Sequence, residues 1–173
     1  MSRVIDLLTH PAYLGAALVL TAASVLGGAN YFEHVLGLAP CKLCLYQRIP
    51  WWLALGLGSM AMLGRRTPLV ATIALGLAVL ALLANAGLSG YHAGVEYGFW
   101  AGPTGCSGDS LPQSLGALNE ALKGPPPPRC DEVPWSLFGI SMAGYNLILS
   151  LATGLAILAL MRRAGRETVG RNG

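Results

Sequence analysis

Charged residues divide the chain into long apolar stretches. Between Asp6 and Glu33 lie 26 residues without a formal charge, between Arg66 and Glu96 lie 29, and between Glu132 and Arg162 another 29. Each can hold a spanning helix, which needs about 20 apolar residues. A fourth stretch, from Arg48 to Arg65, offers only 16. Its helix must therefore begin earlier, near Cys44 or Leu45, and carry Arg48 in its first turns. The pattern predicts spans near 13–31, 45–63, 68–90 and 142–161. At about 1.5 Å per residue, such helices match a hydrocarbon core about 30 Å thick. The first stretch is too long for a signal-peptide core and lacks an obvious small-residue cleavage site, so it is read as retained.

Composition points the same way. The chain has 173 residues, 54% apolar and 11% charged, against about 25% charged in an average soluble domain. Mean hydropathy is +0.55. A soluble protein this small has too much surface to cover with so few charges. Disorder, collagen and coiled coil each need a polar, strictly periodic or heptad composition. A scattered net charge of +3 does not suggest nucleic-acid binding. The expected fold is one all-α integral membrane domain over residues 1–173, a four-helix transmembrane bundle in contact with lipid. Gly15, Ala16, Gly27, Gly28, Gly56, Gly58, Gly76, Ala78 and Gly87 lie inside the spans. They suit close helix approach, although general Gly/Ala richness accounts for them equally well.

Four spans put both termini on one side. That side holds Arg3, Arg65, Arg66, Arg162, Arg163, Arg166 and Arg171, and the other holds Lys42, Arg48, Lys123 and Arg129. The bias favours cytoplasmic termini. Tyr31, Phe32, Tyr46, Trp51, Trp52, Tyr91, Tyr97, Phe99, Trp100, Trp135 and Phe138 gather toward the opposite interface as an anchoring belt. Two outer loops result, near 32–44 and 91–141. In the second, Leu111, Leu115, Leu118 and Leu122 form a helical stripe. It is expected as a short interfacial helix, with an ordinary capping helix as the alternative.

All four cysteines fall in these outer loops: Cys41 and Cys44 in the first, Cys106 and Cys130 in the second. Cysteine favours burial, so chance would have placed some inside the spans. An outer, oxidising location permits disulfides. Cys41-Lys42-Leu43-Cys44 is a C-x-x-C, compatible with redox activity, half of a zinc site or two ordinary thiols. Zinc would want a second close pair or histidines, and no metal is expected. A structural disulfide across C-x-x-C closes a very small loop and constrains the unfolded chain little. Redox exchange is the leading reading. Cys44 sits at the start of the second span, where free N–H groups and the helix dipole favour a thiolate. Arg48 lies about one turn on and can face it. A charged Arg at the rim of a membrane helix is costly and points to function, although a snorkelling Arg would account for it too. Pro50 cannot donate to the carbonyl of Tyr46, so this relation requires that the first turn survive.

The run Pro40-Cys41-Lys42-Leu43-Cys44-Leu45-Tyr46-Gln47-Arg48 resembles the signature of the bacterial DsbB family of inner-membrane disulfide-forming enzymes. Tyr91-His92-Ala93-Gly94-Val95-Glu96, then Cys106, and Arg129-Cys130-Asp131 before the last helix resemble one branch of it, so the likeness covers nearly the whole chain. Gln47 departs from members that carry an acid there, with little consequence expected. The resemblance implies a thiol:quinone oxidoreductase that reoxidises a periplasmic, thioredoxin-like DsbA partner and passes the electrons to ubiquinone or menaquinone. It implies that Cys106–Cys130 is the disulfide attacked by the partner, with Cys106 holding the mixed disulfide and Cys130 attacking Cys41. It also implies that Cys44 faces the quinone, with Arg48 stabilising the charge.

His92 is expected at the end of the third span, bonded to a quinone carbonyl, or else satisfied by water or backbone. Glu96 reads as a helix-end charge that could pair with Arg48. His10 and His34 read as solvated. Met60, Met62 and Met142 read as core or lipid-facing. Tyr46, Trp51 and Trp52 read as belt residues more than as a pocket wall. Two other readings remain: a non-catalytic scaffold with two structural disulfides, and a protein like vitamin K epoxide reductase. The latter family usually places its C-x-x-C late and its loop pair early, the reverse of the order here.

Overall fold

The computed structural model describes residues 10–64, 67–104, 106, 114, 116 and 128–172. Four long helices carry the fold: α1 (Pro11–His34), α2 (Lys42–Leu63), α3 (Pro68–Glu96) and α4 (Met142–Asn172). A hairpin of β1 (Ser136–Leu137) and β2 (Ile140–Ser141) precedes α4. Three helices, α1, α3 and α4, are long and apolar enough to cross a membrane. The leucine stripe from Leu111 to Leu122 lies outside the described residues.

Each helix extends beyond its predicted span because a local device sets the true end. His10 caps α1, its Nδ1 accepting from the Ala12 N–H at 3.3 Å. Helix α2 begins three residues before the predicted 45 because the Cys41 sulfur accepts from the Cys44 N–H at 3.2 Å. Pro50 lies inside α2, which nevertheless runs on as helix to Leu63. Helix α3 does not stop at 90. Nothing breaks it before Gly98, whose φ of +73° closes a Schellman turn: Gly98 N–H donates to Val95 O at 3.1 Å and Phe99 N–H to Gly94 O at 2.8 Å. The segment Tyr91–Glu96, expected at the start of the loop, is therefore helical. Ser141 Oγ accepts from Gly144 N–H at 3.1 Å and caps α4.

Neighbouring helices run antiparallel. Gly15 near the start of α1 lies against Gly58 and Met62 of α2. Asn146 and Ser150 of α4 meet Ser89 and Asn85 of α3. One end of the molecule thus collects the C-termini of α1 and α3 and the N-termini of α2 and α4. The apolar core between the helices includes Leu14, Leu18, Ala54, Leu75, Ala78, Leu82 and Ile157. At the cysteine-bearing end, Phe138 and Gly139 form the hairpin turn, both with positive φ, as a type I′ turn requires. Tyr97 ties this hairpin to α3: its hydroxyl donates to Gly139 O at 2.9 Å and accepts from Ser141 N–H at 3.1 Å.

The small residues divide by environment. A Cβ on Gly15 would lie 2.6 Å from Gly58 O and 2.7 Å from Met62 N, whereas Gly27, Gly28, Gly56, Gly76 and Gly87 have nothing within 4 Å. Close approach accounts for Gly15 and Gly58, while Ala78 is simply buried. Gly15→Ala is expected to destabilise the protein by about 1–3 kcal/mol, because backbone on α2 cannot yield as a side chain would. Gly76→Ala is expected to be neutral. Unfolding midpoints in detergent compare the two.

Candidate active site

The gathered end of the helices holds both cysteine pairs. Cys106 and Cys130 form a disulfide with Cα atoms 5.3 Å apart, and Cys130 N–H donates to Cys106 O at 2.7 Å. This disulfide packs into one buried cluster with Cys41, Leu43 and Val95. Cys41 and Cys44 are thiols whose sulfurs lie 2.8 Å apart. They face different surroundings. Cys41 is buried against the loop disulfide, while Cys44 is half-buried and lines a cavity of about 670 Å³.

That cavity lies between α1, α2 and α4, with mostly apolar walls. Its polar edge comes from Cys44, Gln47 and Arg48, and Trp51, Trp135 and Asn146 also face it. Arg48 does not pair with Glu96. Its Nη1 donates to Glu33 Oε2 of α1 at 2.5 Å. Glu96 instead lies one turn below His92 on α3, with its carboxylate 3.9 Å from His92 Nε2. The reason is rotational: α3 turns Glu96 inward beside His92, while Arg48 projects from α2 toward α1. Trp51 likewise leaves the expected belt. It is 1% exposed, whereas Tyr46 and Trp52 remain exposed.

His92 is buried rather than interfacial, at 1% exposure. Its Nε2 lies 3.5 Å from the Cys41 sulfur, and Gln47 Nε2–H donates to its Nδ1 at 2.8 Å. The ring stands behind the thiol pair and is not among the residues on the cavity wall. The potential ligand atoms of Cys41, Cys44 and His92 all lie within 4.8 Å of one another. A metal-bound histidine normally donates outward from its other ring nitrogen. Here Gln47 donates inward to that nitrogen, so the cluster is not wired as a ligand set.

Cys41, rather than Cys44, occupies the N-cap. Its thiol is pulled down to about 5. The largest cause is the hydrogen bond from Cys44. Burial opposes the shift, and hydrogen bonds from His92 and from the Cys44 backbone N–H add to it. On the loop, the Arg129 guanidinium holds the Asp131 carboxyl below its ordinary range.

Several polar residues of the site have a sequence signal that spacing makes plain in retrospect. Asn85, Ser89, His92 and Glu96 are separated by 4, 3 and 4 residues, a polar stripe on one face of an otherwise apolar helix. Gln47 and Trp51 on α2, and Asn146 and Ser150 on α4, are each four apart. Polar groups inside membrane helices are expensive and mark the side that faces protein. Gln47 bridges His92 and Asn146 in this arrangement.

A helical membrane protein that packs a dithiol against a disulfide, beside an apolar cavity, has the form of a membrane thiol–disulfide oxidoreductase. Residues 11–160 match the family described as disulfide bond formation protein DsbB. The chain is 29% identical to disulfide bond formation protein B 1 of Pseudomonas aeruginosa, over 91% of this chain and 99% of that one. It is also 29% identical to disulfide bond formation protein B of Stutzerimonas stutzeri, over 90% and 93%. A third relative, the uncharacterized protein RP370 of Rickettsia prowazekii, is 28% identical over 87% and 89%. The chain belongs to the DsbB family, whose function is disulfide bond formation.

A thiol absorbs strongly in the ultraviolet only as the thiolate. With Cys41 pulled down to about 5, the reduced protein is expected to gain thiolate absorbance as pH rises through about 5. Cys41→Ala should abolish this transition. Cys44→Ala should move it upward, toward an ordinary thiol, by removing the largest stabilising hydrogen bond.

Proposed function

We propose that this protein is a quinone-dependent protein-dithiol oxidase of the bacterial inner membrane. In this reading α2 is a fourth span, and both termini are cytoplasmic. The substrate is a reduced, periplasmic, thioredoxin-fold protein of the DsbA type. The observation that carries the proposal is the division of labour within the C-x-x-C: Cys41 packs against Cys106–Cys130, while Cys44 lines the cavity.

The exchange runs inward. A thiolate of the reduced partner attacks Cys106, forming a mixed disulfide and releasing Cys130 as a thiolate. Cys130 then attacks Cys41 of the oxidised Cys41–Cys44 pair, and the electron pair leaves on Cys44. Cys106 and Cys130 are 5% and 0% exposed, so attack by a partner requires Cys106 to be brought to the surface. The same burial would suit a structural staple. That is the competing reading, in which mild dithiothreitol leaves Cys106–Cys130 oxidised.

A cavity of about 670 Å³ with mainly apolar walls falls in the size range of small-molecule and cofactor sites and fits a quinone head group. Cys44, Arg48 and Trp51 would hold it. A quinone supplies the two-electron acceptor that thiol oxidation needs. Arg48, held at the cavity wall by Glu33, presents positive charge where negative charge develops. His92, expected to contact the quinone itself, acts in this reading through Cys41.

Reduced DsbA-type protein and ubiquinone or menaquinone, followed by quinone absorbance, test the proposal. Cys44→Ala is expected to abolish quinone loss. Arg48→Ala is expected to lower kcat/KM by about 10²-fold. Absence of turnover with either quinone, in folded protein, would leave the staple reading standing.

A further inference from the structure

An indole N–H can only donate, and this fixes the direction of a chain of hydrogen bonds through the site. Trp51 Nε1–H donates to Asn146 Oδ1 at 2.7 Å. Asn146 must then present its amide nitrogen on the other side, and Nδ2–H donates to Gln47 Oε1 at 2.7 Å. Gln47 in turn presents Nε2–H, which donates to His92 Nδ1 at 2.8 Å. A neutral imidazole accepting at Nδ1 carries its proton on Nε2. That nitrogen lies 3.5 Å from the Cys41 sulfur. Side bonds reinforce the polarity: Asn85 Nδ2–H points to the same Asn146 oxygen at 3.5 Å, and Asn146 Nδ2–H also donates to Ser89 Oγ at 3.0 Å.

We infer that Trp51, Asn146 and Gln47 are positioning residues that hold His92 in its Nε2–H tautomer, so that the imidazole donates a hydrogen bond to the Cys41 sulfur. This rests on the reading of Cys41 as a redox thiol, and it assigns a chemical purpose to three residues that touch no sulfur. When the Cys106 thiolate, released as the partner's second thiol resolves the mixed disulfide, attacks Cys130 of a Cys41–Cys130 disulfide, a new Cys106–Cys130 bond forms. The Cys130–Cys41 bond breaks, and the electron pair leaves on Cys41. Departure is faster for a leaving thiol of lower pKa, and a donor already aimed at the sulfur lowers it. The opposite tautomer would turn a lone pair toward the departing thiolate.

The titratable groups acting on Cys41 are few. Cys44 acts from its own helix, and His92 acts from α3. Glu96 of α3, beside His92, is coupled to it by charge. The loop packed against Cys41 contributes a disulfide, which does not titrate.

The test uses the whole reduced protein in detergent at pH 8, without quinone or partner. Nitrogen-15 NMR of histidine-labelled protein reads the tautomer directly, with His92→Gln assigning the signal among the three histidines. The expected spectrum has a protonated Nε2 and an unprotonated Nδ1. Trp51→Phe removes the donor that sets the polarity. It is expected to give a mixture of tautomers and to raise the pH midpoint of Cys41 thiolate absorbance by about one unit. Wild-type protein with His92 protonated at Nδ1, or at both nitrogens, overturns the inference, whatever the variant does. An unchanged tautomer and midpoint in folded Trp51→Phe overturns it equally. Neither readout requires turnover, so a failure of the oxidase reading shows in the quinone assay alone.

Discussion

A buried polar group in a membrane helix has to find its partner within the protein, and the arrangement of α2, α3 and α4 depends on that demand. Lipid offers no hydrogen bonds, so Asn85, Ser89 and His92 on α3 can be accommodated only if their stripe faces other helices. Gln47 and Trp51 answer from α2, and Asn146 and Ser150 from α4. Each of these bonds has a preferred length and direction, unlike the sliding contacts of Leu and Ala around them. They therefore set the rotation of each helix about its axis and its height against its neighbours. Close approach at Gly15 and Gly58 does the corresponding work between α1 and α2, through shape instead of hydrogen bonding.

With that register set, the site follows. The start of α2 brings Cys41 to the N-cap and leaves Cys44 on the side of the cavity. The extension of α3 to Glu96 carries His92 under Cys41 instead of into a loop. Tyr97 and the hairpin then tie the segment before α4 to the end of α3, and the Cys106–Cys130 disulfide sits against Cys41. Cys41 is buried within the cluster around the loop disulfide, and Cys44, packed against that cluster, also lines the apolar cavity.

Arg48 illustrates how sequence can place a residue without giving its charged partner. Its place at the rim of a membrane helix marked it as functional, and it does line the cavity. Helical spacing pointed it at Cys44, and charge suggested Glu96. Its partner is Glu33, from the end of α1. Gln47 shows the converse, an apparently neutral position that stands between His92 and Asn146. An amide can donate and accept at once, whereas a carboxylate can only accept, so the two side chains send different polarity through the same position.

Charge-free stretches and helical periodicity are properties of the chain alone, and they were enough to locate the four helices and the C-x-x-C at a helix start. The polar stripe 85–89–92–96 was equally present in the sequence and predicts a face, though not what it meets. Which residues meet was decided in three dimensions. The pairing of Glu33 with Arg48, of Gln47 with His92 and of Trp51 with Asn146 joins residues 15, 45 and 95 apart. Spacing fixes angles within one helix but carries no information on how that helix is rotated against the next. That rotation comes from the joint requirement that the glycine contact close and that Gln47, Trp51, Ser89, His92 and Asn146 find partners across the helices.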